Sequence, residues 1–223
     1  MERLHLTINM NTGAKLFFTS DLHLGHNNII SFCQRPFKDV EIMNEALIAN
    51  WNEVVAPGDI VFALGDIFWN HNTKFMKEVY ARLNGTIYFI PGNHDSNDAY
   101  KQKFPNVTVL SDVVTLFLIL HDEIEEVTYN YQIQLSHIPL MTWPQRIKRN
   151  CFHLHGHVHT MLVGHNTGCD ANIPKWPNQY DIGVDFNNYA PIEIRDILAK
   201  LNLSPGSSVK ELSKEVLERN LSE

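Results

Sequence analysis

Apolar runs of strand length alternate along the first half of the chain with polar loops and with stretches of helical spacing. Lys15 to Ser20 reads as a buried strand, after which Asp21 begins a polar loop. Between Val40 and Val55, Met43, Leu47, Trp51 and Val54 recur at spacings of four, four and three, which predicts an amphipathic helix closing at Pro57-Gly58. Asp59 to Leu64 is again strand-like and ends at Gly65-Asp66. Phe75, Val79 and Leu83 mark a second helix that stops at Asn84-Gly85, and Thr86 to Ile90 is a third strand ending at Pro91. Strand, loop and helix in this order predict an α/β unit, in which ligands gather just beyond the carboxyl ends of strands.

From Val107 the pattern changes. Val107 to Leu110, Val113 to Leu120 and Val127 to Leu135 read as strands, the last two separated by an acidic turn from His121 to Glu126. A second, more antiparallel sheet is expected. Met161 to Tyr180 is rich in Gly, Asn and Pro, and a loop of that length in a compact domain is usually functional or mobile. Pro191 to Leu201 looks helical. Residues 1–203 are read as one domain, and residues 204–223 as a linker followed by a charged helix whose stripe of Val209, Leu212, Val216 and Leu217 packs on the domain or on a second subunit. A homo-oligomer therefore stays open.

Composition narrows the class. The 223 residues suffice for one sizeable core. With 18 basic and 25 acidic residues the net charge is −7, which argues against a broad basic surface that coats nucleic acid. Arg146, Lys148 and Arg149 form a local basic cluster, read first as a solvated face and second as a contact for an anionic substrate. Cys33, Cys151 and Cys169 are odd in number and far apart, so they suggest apolar fillers in a reducing compartment. The amino-terminal residues lack the apolar stretch of a secretory signal, and the longest apolar run, Val113 to Leu120, is too short to cross a bilayer as a helix. A soluble cytoplasmic protein with no membrane partner is expected.

The candidate chemistry lies in five short segments, each placed where an apolar run ends: Asp21-Leu22-His23, Gly65-Asp66, Gly92-Asn93-His94-Asp95, Ser136-His137 and Gly156-His157-Val158-His159. Together they supply nitrogen and oxygen ligands suited to a pair of divalent transition ions. Asp21 and His23 are two apart, as are His157 and His159, and in an extended chain such pairs point to one side. Asp66 suits a bridge, because a carboxylate has two oxygens and the charge to hold two cations. Asn93 offers an amide oxygen and His137 a nitrogen to a second ion. His94 follows Asn93 directly and would face the substrate, where a histidine can give a proton near neutral pH. Asp95 either orients His94 or caps a following helix.

In the order and context of these segments the chain resembles the calcineurin-like metallophosphoesterases over residues 15 to 198. The wording around Ser20 to Asn27, Arg35-Pro36-Phe37 and His155 to His159 is most similar to small single-domain bacterial and phage members. The resemblance implies an α/β fold of two mixed sheets packed face to face as a sandwich and flanked by helices. It also implies a first ion held by Asp21, His23, Asp66 and His159, and a second by Asp66, Asn93, His137 and His157. Manganese is the expected metal, with iron, nickel or zinc as alternatives. The two ions would make hydroxide available for in-line attack, with His94 as general acid. After Gly65-Asp66 the chain reads Ile67-Phe68-Trp69-Asn70 and lacks the acidic and arginine residues of the protein-phosphatase branch, which disfavours a phosphoprotein substrate.

The expected function is a metal-dependent phosphoesterase acting on a small organophosphate, with a phosphodiester such as a cyclic or linear nucleotide preferred over a monoester. A nuclease acting on extended nucleic acid is the alternative enzyme, and a non-catalytic metal-binding scaffold the alternative class. His26 and Arg35 are candidate phosphate contacts, against helix-start packing for the first and surface ion pairing for the second. His153 and His155 alternate with His157 and read as packing groups rather than ligands. Gly164 to Tyr180 reads as a substrate-selecting flap, in which Lys175 offers a phosphate contact and Trp176 a flat face for a base.

Overall fold

The computed structural model describes residues 2–69, 72–95, 100, 103–159 and 176–203. Its strands are β1 (Glu2–Asn9), β2 (Leu16–Thr19), β3 (Ile60–Leu64), β4 (Thr86–Ile90), β5 (Val107–Val109), β6 (Val113–Asp122), β7 (Val127–Ser136), β8 (Cys151–His155), β9 (Gln179–Asp181) and β10 (Ile192–Glu193). The helices are α1 (Asn27–Phe32), α2 (Val40–Val54), α3 (Thr73–Tyr80) and α4 (Ile194–Lys200). They build two five-stranded mixed sheets, one ordered β10-β2-β3-β4-β5 and the other β1-β6-β7-β8-β9. No helix among the described residues is long and apolar enough to cross a membrane.

The first sheet is buried on both faces, and its strands are accordingly near-continuous apolar runs. Phe17, Val61, Ala63, Ile87 and Phe89 pack under Met43, Leu47 and Trp51 of α2 and Met76, Val79 and Tyr80 of α3. Phe18, Phe62, Leu64 and Ile90 alternate with them and face the other way, against Leu116, Leu118, Ile133, Leu135, Phe152 and Leu154 of the second sheet. Side chains of α4 close one edge of this inter-sheet core. The outer face of the second sheet instead carries Thr115, Gln134, His153 and His155, all buried and polar. Trp143 meets the His153 ring there, with centroids 5.2 Å apart. Asp39 caps α2 by accepting the Ile42 N–H at 2.8 Å, and Asn72 caps α3 through the N–H groups of Lys74 and Phe75.

The expectation of a more antiparallel second sheet is corrected. β6 and β7 pair antiparallel, but β1 runs parallel to β6, β8 to β7 and β9 to β8. The first sheet likewise has one antiparallel pair, β10 with β2. β5 belongs to the first sheet, as the neighbour of β4, and not to the second. Hydrophobic spacing marks a strand but carries no record of which neighbour it pairs with or in which direction. β1 escaped notice even though Leu4, Leu6 and Ile8 alternate with polar residues. The proposed linker and carboxy-terminal helix, residues 204–223, lie outside the described residues.

Parallel pairing puts the carboxyl ends of β2, β3 and β4 side by side, and likewise those of β7 and β8. Ser20 and Gly183 form a parallel bridge that ties the end of the first sheet to the end of the second. All five motif segments begin within three residues of one of these ends.

Candidate metal centre

Five of the seven ligand candidates lie in unusual turns. Asp21, His23, Asp66, His157 and His159 have φ of 61°, 53°, 53°, 71° and 42°, the left-handed region that non-glycine residues seldom occupy. The pairing of Asp21 with His23, and of His157 with His159, therefore does not come from an extended chain as the spacing suggests. A backbone that curls back on itself aims both members inward, and such strain persists where surrounding contacts hold it. Those contacts are a ladder between the first two loops: Asp21 N–H donates to Gly65 O at 3.1 Å, His23 N–H to Asp66 O at 2.9 Å and Leu24 N–H to Ile67 O at 2.9 Å. Glycines clear the space for the carboxylates. A Cβ at Gly156 would collide with Asp21 Oδ2 and Ser20 Oγ, and one at Gly92 with Asp66 Oδ1.

Two groups of donor atoms result. In the first, His23 Nε2 stands 3.2 Å from His159 Nε2 and 3.9 Å from Asp21 Oδ1, while His159 Nε2 is 3.7 Å from the same oxygen. Asp21 Oδ1 is buried without a hydrogen-bond partner, and Oδ2 accepts the His157 N–H at 2.9 Å. In the second, His137 Nε2 lies 2.9 Å from Asn93 Oδ1 and 3.4 Å from Asp66 Oδ2. The His157 ring packs edge-on against His137, with centroids 5.1 Å apart. Asp66 Oδ2 joins the groups, being also 3.7 Å from His23 Nε2. A buried, unpartnered carboxylate oxygen beside two facing imidazole nitrogens is an arrangement that a cation satisfies and a hydrogen-bond network does not. The residues present fit divalent ions.

The electrostatics agree with that reading. Burial pushes the Asp21 carboxyl up. Burial would raise Asp66 too, but the hydrogen bond and charge of His137, the charge of His23 and the His94 amide bring it down to about 2. Burial opposes a proton on His137, yet the Asp66 contact and the Asp21 charge raise it to about 9. His23, buried and facing His159, is held well below the usual imidazole range. The extra proton on His137 stands where a cation would, and ligation must displace it.

His94 is exposed at the mouth of the site, its N–H donating to Asp66 Oδ1 at 3.0 Å and its ring 5.8 Å from that of His23. Asp95 does not orient it. Asp95 Oδ2 accepts the N–H groups of Asp66 at 2.7 Å and Gly92 at 2.8 Å, and Oδ1 accepts the Tyr100 hydroxyl at 3.5 Å. Its work is to brace the loops that carry Asp66 and Asn93. The helix-cap reading of Asp95 concerns residues 96–99, outside the described residues.

Arg35 is the other correction. Its side chain is fully buried; Nε and Nη2 hold the Asp185 carboxylate at 2.8 and 2.9 Å. Nη2 also donates to the Asp21 carbonyl at 2.7 Å, and Nη1 to that of Leu22 at 2.8 Å and to Met43 Sδ at 3.5 Å. No N–H is left for a phosphate. Asp185 in turn accepts from His159 Nδ1 at 2.8 Å, which fixes that ring so that Nε2 faces the first group. The Cys33 thiol, read as a plain filler, lies within 4.8 Å of the facing His159 nitrogen and Asp185 oxygen. Asp185 was missed, although it follows the apolar stretch Ile182-Gly183-Val184 as the other candidates follow theirs.

His26 is buried, stacked on Trp69 with centroids 3.8 Å apart, and its Nδ1 has no hydrogen-bond partner. His153 is structural: Nδ1 bonds the Gln134 carbonyl at 2.9 Å and Nε2 accepts the Leu140 N–H at 3.0 Å. His155 bonds the Gly156 carbonyl through Nδ1 at 2.9 Å. Trp176 is half-buried, with the Arg146 guanidinium 3.8 Å over its ring and Nε1 donating to the Met141 carbonyl. Arg149 donates to the Asn202 carbonyl, so two members of the basic cluster are tied to the chain itself. Lys175 and most of the proposed flap, residues 164–175, lie outside the described residues.

Comparison with known proteins bears on what this centre does. A model of the calcineurin-like phosphoesterases matches residues 14–168. An uncharacterized protein of Methanocaldococcus jannaschii is 34% identical over 188 residues, covering 84% of this chain and 90% of that protein. The Gene 66 protein of Mycobacterium phage L5 is 28% identical over 168 residues, 67% of this chain and 80% of that one. Among solved structures, a protein of unknown function from Aquifex aeolicus aligns with a TM-score of 0.56 at 28% identity, covering 82% of this chain and 97% of that one. The matched region contains every candidate ligand, and the chain belongs to the calcineurin-like phosphoesterase family, whose members hydrolyse phosphoesters with divalent metal ions.

Proposed function

We propose that the chain hydrolyses a small phosphodiester, with a cyclic or linear nucleotide as the preferred class. The observation that carries this reading is the placement of Asp66, one oxygen of which lies within 3.7 Å of His23 Nε2 and 3.4 Å of His137 Nε2. A carboxylate shared between two donor groups is what a two-ion phosphoryl-transfer site requires. Asp21, His23, Asp66 and His159 would hold one ion, and Asp66, Asn93, His137 and His157 the other, with manganese expected to serve well. When bound, such ions acidify water and neutralise charge on phosphoryl oxygens.

The chain's own groups supply the rest. His94, anchored through its N–H to Asp66 and exposed at the mouth, gives its proton to the departing alkoxide. That help matters most for an alkyl diester, whose leaving group is strongly basic. Arg35, which lies behind Asp21, has no donor to spare for a second phosphate charge, and this favours a singly charged diester over a dianionic monoester. The net charge of −7 supports a small substrate over extended nucleic acid, which remains the second reading.

The test separates holding ions from using them. Metal-reconstituted protein should contain two ions per chain and cleave diesters. Asp66→Asn should lose both occupancy and activity. His94→Ala should keep its metals and lose about 10²–10⁴-fold in rate on alkyl diesters, and less on p-nitrophenyl esters, which leave without a proton. Elemental analysis showing one ion, or His94→Ala turning over alkyl diesters normally, would sink the assignment.

A further inference from the structure

Beside the candidate ligands, on the side where His94 stands, lies an aromatic shelf that neither the core nor the ligand set accounts for. Trp69 is 42% exposed, whereas Trp51 and Trp143 are 1% and 6% exposed. Its indole lies flat on the His26 ring, 3.8 Å between centroids and 5° between planes. The His94 ring is 4.9 Å away, and that of His23 6.3 Å. Phe32, 57% exposed, meets the His26 ring edge-on at 6.2 Å between centroids. Trp176 touches none of these groups among its described contacts and is already engaged by Arg146.

The shelf is tied through its backbone to the ligand loops. Trp69 N–H donates to the Leu24 carbonyl at 3.0 Å, extending the ladder that joins His23 to Asp66 and Leu24 to Ile67. Leu24 and Phe68, bridged to each other, are fully buried on either side of it. The backbone of Trp69 is therefore tied to the loops that carry Asp66 and His23, and its indole is held by the stack on His26. A flat surface fixed in this way binds a flat partner with little loss of conformational freedom. Water-exposed aromatic area beside reacting groups is also where a ligand ring gains most from burial.

We propose that Trp69, backed by His26, is the subsite for the leaving group of the substrate, and that it takes a nucleobase. The proposal rests on the diester reading above. His94 sets the side: the group it protonates departs next to Trp69, so a base carried by the leaving alcohol lies on the indole.

The test uses two phosphodiesters that share the leaving sugar alkoxide, a dinucleoside phosphate bearing a base on that sugar and its analogue abasic there, so that the basicity of the leaving group is nearly constant. Mn²⁺-loaded wild type should favour the base-bearing diester by about tenfold in kcat/KM, mostly through KM. Trp69→Ala should bring the ratio of the two close to one, and Trp69→Phe, which keeps a ring, should retain most of it. An uncleaved methylphosphonate-linked dinucleotide, followed by ligand-observed NMR, should show saturation transfer to the protons of that base with wild type and lose it with Trp69→Ala. If wild type treats both diesters alike, or Trp69→Ala lowers both by the same factor, the shelf does not hold the leaving group, although the diester function stands. If wild type cleaves neither diester yet cleaves p-nitrophenyl phosphate, the diester reading fails and the proposal with it.

Discussion

Asp185 shows how much one buried carboxylate organises. It pairs with Arg35, side chains 1% and 0% exposed, and accepts from His159. Burial would raise its carboxyl, but the His159 hydrogen bond and the Arg35 charge hold it at about 2. Through Arg35 the same ion pair reaches the carbonyls of Asp21 and Leu22, so one cluster fixes ligand loops from opposite ends of the chain. Asp185→Asn keeps the shape and removes the charge. It leaves a buried guanidinium uncompensated, with an expected loss of about 3 kcal/mol in folding stability. It also frees the His159 ring, so manganese affinity should fall about 10–100-fold. Chemical denaturation and metal titration measure the two separately, and unchanged affinity would show that His159 is held by other contacts.

At the scale of the element, β8 carries His157 and His159 just past its end, and its own His153 reports on its packing. Burial, together with the facing His155, lowers His153 to about 3, while its bond to Gln134 works the other way. Leu140 N–H and the Trp143 ring complete its surroundings. The native state thus keeps this imidazole neutral, whereas the unfolded chain protonates it below its ordinary value of 6.5. Stability from this group is unaffected above pH 6.5 and is lost as pH falls from there toward about 3. At pH 5 the loss is about 2 kcal/mol. His153→Gln removes the titration, so its stability should fall less steeply between pH 6.5 and 5 than that of the wild type. Equal slopes in denaturation series at the two pH values would contradict the assignment.

For the whole molecule, the centre joins two sheets that otherwise meet mainly through apolar side chains and the Ser20–Gly183 bridge. Asp21 and Asp66 come from the first sheet's loops, and His137, His157 and His159 from the second's. Ions bound there stabilise only the folded state, by about 4 kcal/mol at a concentration 1,000 times the dissociation constant. Chelation should therefore lower the melting temperature by several degrees, and manganese should restore it in a concentration-dependent way. A melting temperature indifferent to chelator and metal would mean that the loops are ordered without ions.

The sequence by itself determined the α/β character, the strands β2, β3, β4, β6 and β7, the helices α2 and α3, and the five loops that hold the candidate ligands. Each rests on local spacing: period two or near four in apolar residues, and polar motifs where an apolar run stops. Only the tertiary structure decided that β8 and β9 run parallel to their neighbours, that β5 joins the first sheet, and that the ligand pairs converge through left-handed turns. The fate of Arg35 was equally out of reach, because its partner lies 150 positions away. Trp176 has the polar neighbours of an exposed aromatic whereas Trp69 follows Ile67-Phe68, yet it is Trp69 that stands beside His94 while Trp176 lies under Arg146. Periodicity is a property of neighbours along the chain, whereas desolvation and hydrogen-bond partnership depend on which strand ends the fold brings together.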